Sequence, residues 1–385
     1  MPIIQAVETE SRTLFMYSYR RWAHQLSIPL RIGPLVLVSS LALADFKDPL
    51  DLPAKSQLNI EDRPLIDVEK AGENLVAVGA RGLIAMSANN GETWTQAQSP
   101  VQSDLVAVDF PTASEGWAVG HDGVILHSSD GGATWEKQLD GRKAKSVFNE
   151  FYDALSEEDG SDMAAAQELT ALNYRDGPSL PFLDVWFRDE KQGYVTGAFG
   201  NLAITRDGGE TWEPWVHRID NDSAYHLNSI QGIGADVFIA SERGALFKLS
   251  ENKESFALLE TPFPGTFFGV TGNSRTVLAY GLKGGVYRSS DQGESWEQVK
   301  GVPDSTITNG TRLSEMEGFV LVNKEGELIV FDKDANDFGV ITSELGKNFS
   351  SVVAVKGGDL VVTGLQGVGR VSLTTRSVSS VIPSE

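Results

Sequence analysis

The chain has 385 residues, of which 41% are hydrophobic and 22% are charged, a composition typical of folded globular proteins. Its formal net charge of -21 at pH 7 would repel nucleic acids and anionic membrane surfaces, so we exclude nucleic-acid binding. The sequence contains no cysteine, which excludes disulfides, thiol catalysis, cysteine-ligated metals and a lipoprotein anchor.

Residues 1–44 are predicted to be a signal peptide. Arginines precede an apolar run of about 13 residues, which is too short to span a bilayer comfortably. The run ends in Ala42-Leu43-Ala44, the small-x-small pattern of signal-peptidase cleavage. We expect cleavage before Asp45 and a mature protein without a membrane span, exported to the periplasm or an equivalent lumen. The alternative is an uncleaved amphipathic anchor.

Internal repeats follow an N-terminal segment at 45–63 and occupy residues 64–385. One repeat is clear: it has four short strand-like segments joined by tight turns, at 105–110, 116–120, 124–128 and 134–137. Four short antiparallel strands joined in this way make one blade of a β-propeller.

A glycine that closes the turn after the second strand recurs along the chain. Consecutive copies are spaced by about 41 residues, except for one interval that is longer by about one extra segment. The seven copies are Gly82, Gly123, Gly200, Gly244, Gly284, Gly326 and Gly367. We therefore predict an all-β fold, a seven-bladed β-propeller with four-stranded antiparallel blades and one insertion.

A second motif, Ser/Thr-x-Asp-x-Gly-x-Thr/Ser-Trp, recurs between the third and fourth strands and is known as the Asp-box. The Asp can accept N–H bonds from its own turn, glycine supplies positive φ, and the Trp packs between blades. We interpret the boxes as structural. Their Asp or Asn and Trp residues are Asn89 and Trp94, Asp130 and Trp135, Asp207 and Trp212, and Asp291 and Trp296.

The long interval contains an insertion at 141–180, between blades 2 and 3. Helical spacing places five apolar side chains on one face: Val147, Phe148, Phe151, Tyr152 and Leu155. With a second helix predicted over 163–169, this indicates a helical hairpin, the only substantial helical element after residue 45. It either packs on the rim of the propeller or serves as a partner-docking element or lid beside the central channel.

Two segments are candidates for the fourth strand of the last blade. Residues 378–381 would supply it from the C-terminal side, and residues 57–60 would close the ring from the N-terminal side. The sequence does not decide between them.

The boxes give the chain a resemblance to the sialidase superfamily and, more closely, to the photosystem II stability/assembly-factor family of propellers. The second resemblance covers roughly residues 60–380, and Trp117-Ala118-Val119-Gly120 in a second strand is typical of that family. The resemblance implies an exported, non-catalytic protein that binds membrane-protein assembly intermediates. The chain departs from the family in its acidity and in its insertion.

The alternative function is a sialidase-type glycoside hydrolase or a carbohydrate-binding propeller. Sialidase chemistry needs an arginine cluster, and no three arginines stand at equivalent blade positions. Arg63-Pro64 lacks the aromatic residue and the Ile of the sialidase Phe/Tyr-Arg-Ile-Pro element. The five histidines show no metal-ligand spacing. We therefore expect no catalysis, no cofactor and no metal.

The candidate site is one face of the propeller. Because a blade runs from inner to outer strand, the turns between second and third strands share a face with the connections between blades, around the mouth of the channel. Residues in these turns vary in charge and size, which suits protein recognition, although solvated turns are the alternative. The basic ones would bind an acidic segment or a C-terminal carboxylate. The predicted partner-binding residues are Arg81, His121, Asp122, Phe199, Arg243, Lys283, Lys324 and Gln366.

Overall fold

The computed structural model describes residues 47–159, 163–313 and 317–373. The predicted signal peptide at 1–44 and the candidate strand at 378–381 lie outside the described residues. In the part of the chain that is described, neither helix combines the length and the apolar character that a membrane span requires.

The protein is built from seven antiparallel sheets in which consecutive strands pair. Sheets 1 to 3 contain β1 (Leu65–Ala71), β2 (Asn74–Gly79), β3 (Ile84–Ser87) and β4 (Thr95–Gln96); β5 (Leu105–Asp109), β6 (Gly116–Gly120), β7 (Ile125–Ser128) and β8 (Glu136–Leu139); and β9 (Phe182–Phe187), β10 (Gly193–Gly197), β11 (Leu202–Thr205) and β12 (Glu213–Pro214). Sheets 4 and 5 contain β13 (Leu227–Ile233), β14 (Asp236–Ser241), β15 (Leu246–Leu249) and β16 (Phe256–Leu259); and β17 (Phe267–Gly272), β18 (Val277–Gly281), β19 (Val286–Ser289) and β20 (Glu297–Gln298).

The last two sheets contain β21 (Ile307–Leu313), β22 (Gly318–Asn323), β23 (Glu327–Phe331) and β24 (Phe338–Thr342); and β25 (Phe349–Ala354), β26 (Asp359–Gly364) and β27 (Gly367–Ser372). Six sheets therefore have four strands, and the seventh has three among the described residues. The predicted seven-bladed β-propeller is confirmed. Residues 57–60, one candidate for the missing strand, pair with no strand.

The core lies between the blades. The second strand of a blade is covered on both faces by its neighbours, so it is apolar without alternation: all five residues of β6 are buried. Buried clusters combine side chains from adjacent blades, as where Trp117 of β6 stacks on Phe187 of β9 with ring centroids 3.6 Å apart. Packing between neighbours thus holds the ring together.

Polar side chains of the innermost strands also join successive blades. The Asp67 carboxylate accepts the backbone N–H of Val108 in the next blade at 2.9 Å. The Asp184 carboxylate accepts that of Ile230 at 2.8 Å. Where the last blade meets the first, the Ser350 hydroxyl donates to the Leu65 carbonyl at 3.1 Å. These bonds satisfy backbone groups that face the channel.

The Asp-box of blade 2 is a closed local network. The Asp130 carboxylate accepts the Thr134 N–H at 2.9 Å and the Thr134 hydroxyl at 2.6 Å. The Ser128 hydroxyl accepts the Gly132 N–H at 2.9 Å. The buried Trp135 indole donates to the Gly132 carbonyl at 2.8 Å. All these bonds stay within the turn.

The boxes at Asp207 and Asp291 repeat the carboxylate bonds, whereas in the first box the Asn89 side-chain amide donates to the Thr93 hydroxyl. Trp94 and Trp296 are half-buried, and each donates to a glycine carbonyl of its own turn. Trp212 is buried, and its indole N–H makes no hydrogen bond within the described residues. The box tryptophans are therefore not equivalent in packing.

The helical insertion between β8 and β9 is confirmed. It consists of α1 (Gly141–Asp159) and α2 (Ala164–Asn173), both longer than predicted. On the predicted apolar face of α1, Phe148 and Tyr152 are buried, while Val147, Phe151 and Leu155 are half-buried.

The segment before β1 runs along the edge of the propeller. Leu50 is buried in the cluster that joins blades 1 and 2. Asp51 binds Arg142 of α1 through two hydrogen bonds of 2.8 and 2.9 Å. The Ala54 N–H donates to the Ser99 carbonyl at 2.9 Å, in the connection after blade 1. This segment therefore ties the first two blades and the insertion together.

Candidate partner-binding face

The turns between second and third strands touch the connections between blades. A Cβ added at Gly82 would lie 2.0 Å from the Val101 carbonyl oxygen, and one at Gly284 would lie 2.1 Å from that of Pro303. Both glycines also have positive φ, 71° and 65°. Only glycine fits such a position without strain. The turns and connections therefore share one face, here named the connector face, as the blade topology predicts.

The opposite face carries the Asp-box turns and the turns between first and second strands, and is here named the box face. The two kinds of turn are in direct contact there: the Gly208 N–H of the third box donates to the Lys191 carbonyl at 2.9 Å. In blade 2 the Gly131 N–H donates to the Ser114 carbonyl at 2.9 Å.

All eight residues predicted to bind a partner lie at connector-face turns. Seven are exposed, and Asp122 is half-buried because the Ser103 hydroxyl donates to its carboxylate at 2.6 Å. The exposed seven are Arg81, His121, Phe199, Arg243, Lys283, Lys324 and Gln366. Their partner-binding role stays a prediction.

The acidic side chains in these turns are held by neighbours. The Glu242 carboxylate accepts the His226 N–H at 2.9 Å and lies 3.3 Å from the His226 ring nitrogen. Glu325 is bound by the Lys347 ammonium group, whose pKa is raised by that contact. The face therefore holds its turn carboxylates in internal contacts.

The basic side chains of the turns are exposed. Within the described residues, no ion pair involves the four turn cations, Arg81, Arg243, Lys283 and Lys324. On a chain with a net charge of -21, unpaired cations on one face give that face the capacity to bind carboxylates.

Exposed apolar side chains concentrate on the same face. Of the eight large apolar side chains that are exposed among the described residues, Leu258 and Val340 lie on outer strands. The other six belong to connector-face turns, connections, the end of α2 or the N-terminal segment: Leu58, Leu172, Phe199, Leu282, Leu345 and Leu365. The sequence analysis selected Phe199 alone from this set.

The central channel is acidic, which the sequence analysis missed. The innermost strands line a cavity of about 300 Å³ with Asp67, Glu69, Asp109 and Asp184. Burial is the main cause of a raised pKa at each, and the pKa of Glu69 and that of Asp184 are both about 7. Among the residues described, no group of three or more His, Asp or Glu is arranged to hold a metal ion.

Other carboxylates show the opposite shift. Hydrogen bonds from the Ser295 hydroxyl and N–H lower the pKa of the box residue Asp291 to about 2.

Burial lowers the pKa of His217, whose Nδ1 lies 3.0 Å from the Tyr152 hydroxyl of α1, to about 4. The imidazole is therefore neutral at pH 7 where it meets the insertion.

These features define an Asp-box β-propeller whose connector face carries exposed cations and apolar side chains around an acidic channel. The model of one family, described as Photosynthesis system II assembly factor YCF48, matches residues 53–148 and 169–341. Because the match covers more than half of the chain, the protein belongs to this family, which confirms the resemblance in its sequence. The unmatched residues 149–168 lie within the helical insertion.

The chain spans between about a third and a half of the length of the curated relatives it matches. It is 32% identical over 119 residues to the Photosystem II assembly lipoprotein Ycf48 of Synechococcus sp. (strain CC9902), covering 30% of this chain and 35% of that protein. It is 28% identical over 144 residues to the Photosystem II assembly protein Ycf48 of Thermosynechococcus vestitus, covering 35% and 41%.

Solved structures show the same fold. A structure titled "YCF48 bound to D1 peptide" has a TM-score of 0.59 at 13% identity, covering 86% of this chain and 98% of that one. YCF48 from Cyanidioschyzon merolae has a TM-score of 0.57 at 15% identity, covering 82% and 97%. The WD40 propeller of Doa1 also reaches 0.57, at 10% identity and with 85% and 98% covered. This likeness therefore shows the fold alone.

Proposed function

We propose that the protein is an exported, non-catalytic scaffold that binds a protein partner through its connector face and assists the assembly or stability of a membrane protein complex. Its family and its curated relatives are named as photosystem II assembly factors. One relative of the same fold was solved with a D1 peptide. We infer that this chain likewise binds a peptide segment of a membrane protein.

The observation that carries this proposal is that the two faces differ in their exposed apolar side chains. Five exposed large apolar side chains lie at the turns, connections and insertion of the connector face, whereas none lies at a box-face turn among the described residues. Four cations that form no ion pair within the described part of this strongly acidic chain accompany them at the connector-face turns. Free arginine forks and ammonium groups bind carboxylates, and exposed apolar side chains gain from burial. The partner segment is therefore acidic or ends in a free carboxylate, and it carries apolar side chains.

Export rests on the predicted signal peptide. Cleavage before Asp45 leaves the whole segment that runs along the edge of the propeller, including Leu50 and Asp51. N-terminal sequencing of the protein isolated from the envelope of its source cells tests this step. A chain that still begins near Met1 would contradict it.

The test of the binding face compares two charge reversals. The first variant is Arg81→Glu with Arg243→Glu on the connector face. The matched control is Lys191→Glu with Arg275→Glu on the box face, where both cations are likewise exposed and form no ion pair within the described residues.

Each immobilised protein is incubated with detergent-solubilised membranes, and captured proteins are quantified by mass spectrometry. We expect the amount of membrane protein captured by the connector-face variant to be at least ten-fold below that captured by the wild type. The amount captured by the box-face control should fall by less than two-fold. A loss confined to the box-face variant would overturn the assignment of the face.

A further inference from the structure

Phe199 stands in an unfavourable place for a phenylalanine. It occupies the left-handed region, with φ of 54°, and its side chain is 51% exposed. A bulky side chain is strained at positive φ, and exposure of an aromatic ring forgoes the gain from burial. The equivalent left-handed positions in other turns carry polar side chains: Arg81, Asp122, Arg243 and Lys283. Folding alone therefore does not account for a phenylalanine in this turn.

The end of the insertion contacts the turn that carries this ring. The Asn173 side-chain amide, at the end of α2, donates to the Phe199 carbonyl at 3.2 Å. The preceding residue, Leu172, is 53% exposed. The Phe199 ring itself lies against the His226 ring, with centroids 4.7 Å apart. The hydrogen bond between Asn173 and Phe199 thus joins two backbone positions that carry exposed apolar side chains: Phe199 itself and Leu172, the residue before Asn173.

The insertion is anchored rather than poised to move. Tyr174, next to Asn173, is buried and its hydroxyl accepts the Asn201 side-chain amide at 3.0 Å. Tyr152 of α1 is buried and its hydroxyl lies 3.0 Å from His217 Nδ1. These contacts fix the end of α2 against blade 3, so Leu172 is presented on a rigid element. Rigid presentation suits a binding site.

The charges nearby indicate what the occupant carries. Glu242 is engaged by His226, whereas Arg243 in the same turn forms no ion pair among the described residues. A segment laid across this part of the face meets an apolar spot beside a free guanidinium. It therefore needs an apolar side chain with a carboxylate close to it.

We propose that Phe199 and Leu172 form an apolar anchor site, by which the helical insertion takes part in binding: the site takes one large apolar side chain of an acidic segment of the partner protein. This rests on the proposed function and deepens it. The Arg81 and Arg243 side chains supply the charge recognition, and the anchor site supplies the discrimination between acidic segments with and without an apolar side chain.

The test uses two fluorescent ten-residue peptides, each with four carboxylates, one with a central Phe and the other with Ser in its place. Their affinities are measured by anisotropy for the wild type, Phe199→Asn, Leu172→Ser and the control Leu258→Ser. Leu258 is a suitable control because it is 45% exposed but lies on an outer strand. Asn tolerates the left-handed region, so Phe199→Asn keeps the turn.

We expect the wild type to bind the Phe peptide about ten-fold more tightly than the Ser peptide, and both anchor variants to reduce that ratio to below three. The control keeps the ratio. The melting temperature of Phe199→Asn stays equal to or above that of the wild type, since the strained ring serves binding rather than folding.

Two failures are distinguishable. If the wild type binds both peptides equally well and Arg81→Glu with Arg243→Glu weakens both, the charge recognition stands and the anchor site is wrong. If neither peptide binds the wild type, the anchor proposal fails together with the proposed recognition of acidic segments. If Phe199→Asn lowers the melting temperature while the peptide ratio is kept, Phe199 is a folding residue and the proposal is overturned.

Discussion

The acidic channel leads to a specific prediction about stability and pH. Asp109 is half-buried, and the loss of solvation around its carboxyl, with the charges of Glu69, Asp184 and Asp67, raises its pKa well above the usual value. One of its carboxylate oxygens accepts the Phe187 N–H at 2.6 Å. Asparagine keeps an oxygen for that bond and cannot ionise, so Asp109→Asn removes one charge from the cluster with little change in shape.

The direction in which stability changes with pH follows from whether the folded or the unfolded protein binds the proton more tightly. A carboxyl whose pKa is higher in the folded than in the unfolded protein contributes stability below the unfolded value, about 4, and loses it as the pH rises through the folded value. For Glu69, a rise from 4.5 to about 7 corresponds to about 3 kcal/mol. We therefore expect Asp109→Asn to raise the free energy of unfolding at pH 8 by about 1 to 3 kcal/mol.

At pH 5 the solution is only about one unit above the unfolded value, so only part of this loss has occurred, and the substitution should change the free energy of unfolding by less than it does at pH 8. Urea unfolding followed by tryptophan fluorescence at pH 5, 6.5 and 8 measures the difference. Asp222→Asn is the control, because Asp222 is exposed and outside the channel. An equal effect of Asp109→Asn at pH 5 and pH 8, or a loss of stability at pH 8, would refute the reasoning.

Two further predictions concern packing. Trp135→Ala should lower the free energy of unfolding by about 3 to 5 kcal/mol, because the ring is buried. Trp296→Ala should lower it by only about 2 kcal/mol, because that ring is half-buried. Equal losses of stability in thermal melts would contradict this difference. Gly367→Ala should cost more than Gly357→Ala, since both have positive φ but only the first would place its Cβ near a neighbour, 1.8 Å from the Glu61 carbonyl oxygen. Equal melting temperatures for the two variants would contradict a role for this close approach.

The fold could be predicted because each repeat carries the same short sequence motifs. Gly123 combines a positive φ of 64° with a close approach to Gly141, 3.0 Å from an added Cβ, and a glycine at positive φ recurs at this position in every blade, so one clear copy identifies the others. The Asp-box is equally local, since every bond of the Asp130 network lies within seven residues of sequence. Patterns of this kind can be recognised in a sequence without knowledge of tertiary contacts.

The channel could not be predicted in the same way. Asp109 and Asp184 each stand singly in an apolar strand, where one polar residue reads as an exposed position. Their proximity arises only when the seven innermost strands converge. The signal in the sequence was a polar residue inside an otherwise apolar first strand. It becomes visible only when the first strands of different blades are compared with one another.

The N-terminal segment was also beyond sequence reasoning. Asp51 meets Arg142 across 91 residues of chain, and the pair has no periodic pattern. Glu61 occupies the position at Gly367 that connections between blades occupy at Gly82 and Gly284, although residues 57–60 form no strand. Such contacts depend on the closed ring, and not on local propensity.

The central claim is that the connector face binds the partner, and site-specific photo-crosslinking tests it most directly. Benzoylphenylalanine is placed at Lys283 on the connector face or at Glu294 on the box face, both of which are exposed. After irradiation with solubilised membranes, we predict crosslinks to a membrane protein from position 283 and none above background from position 294. Crosslinks to the same protein from position 294, with none from position 283, would contradict the account.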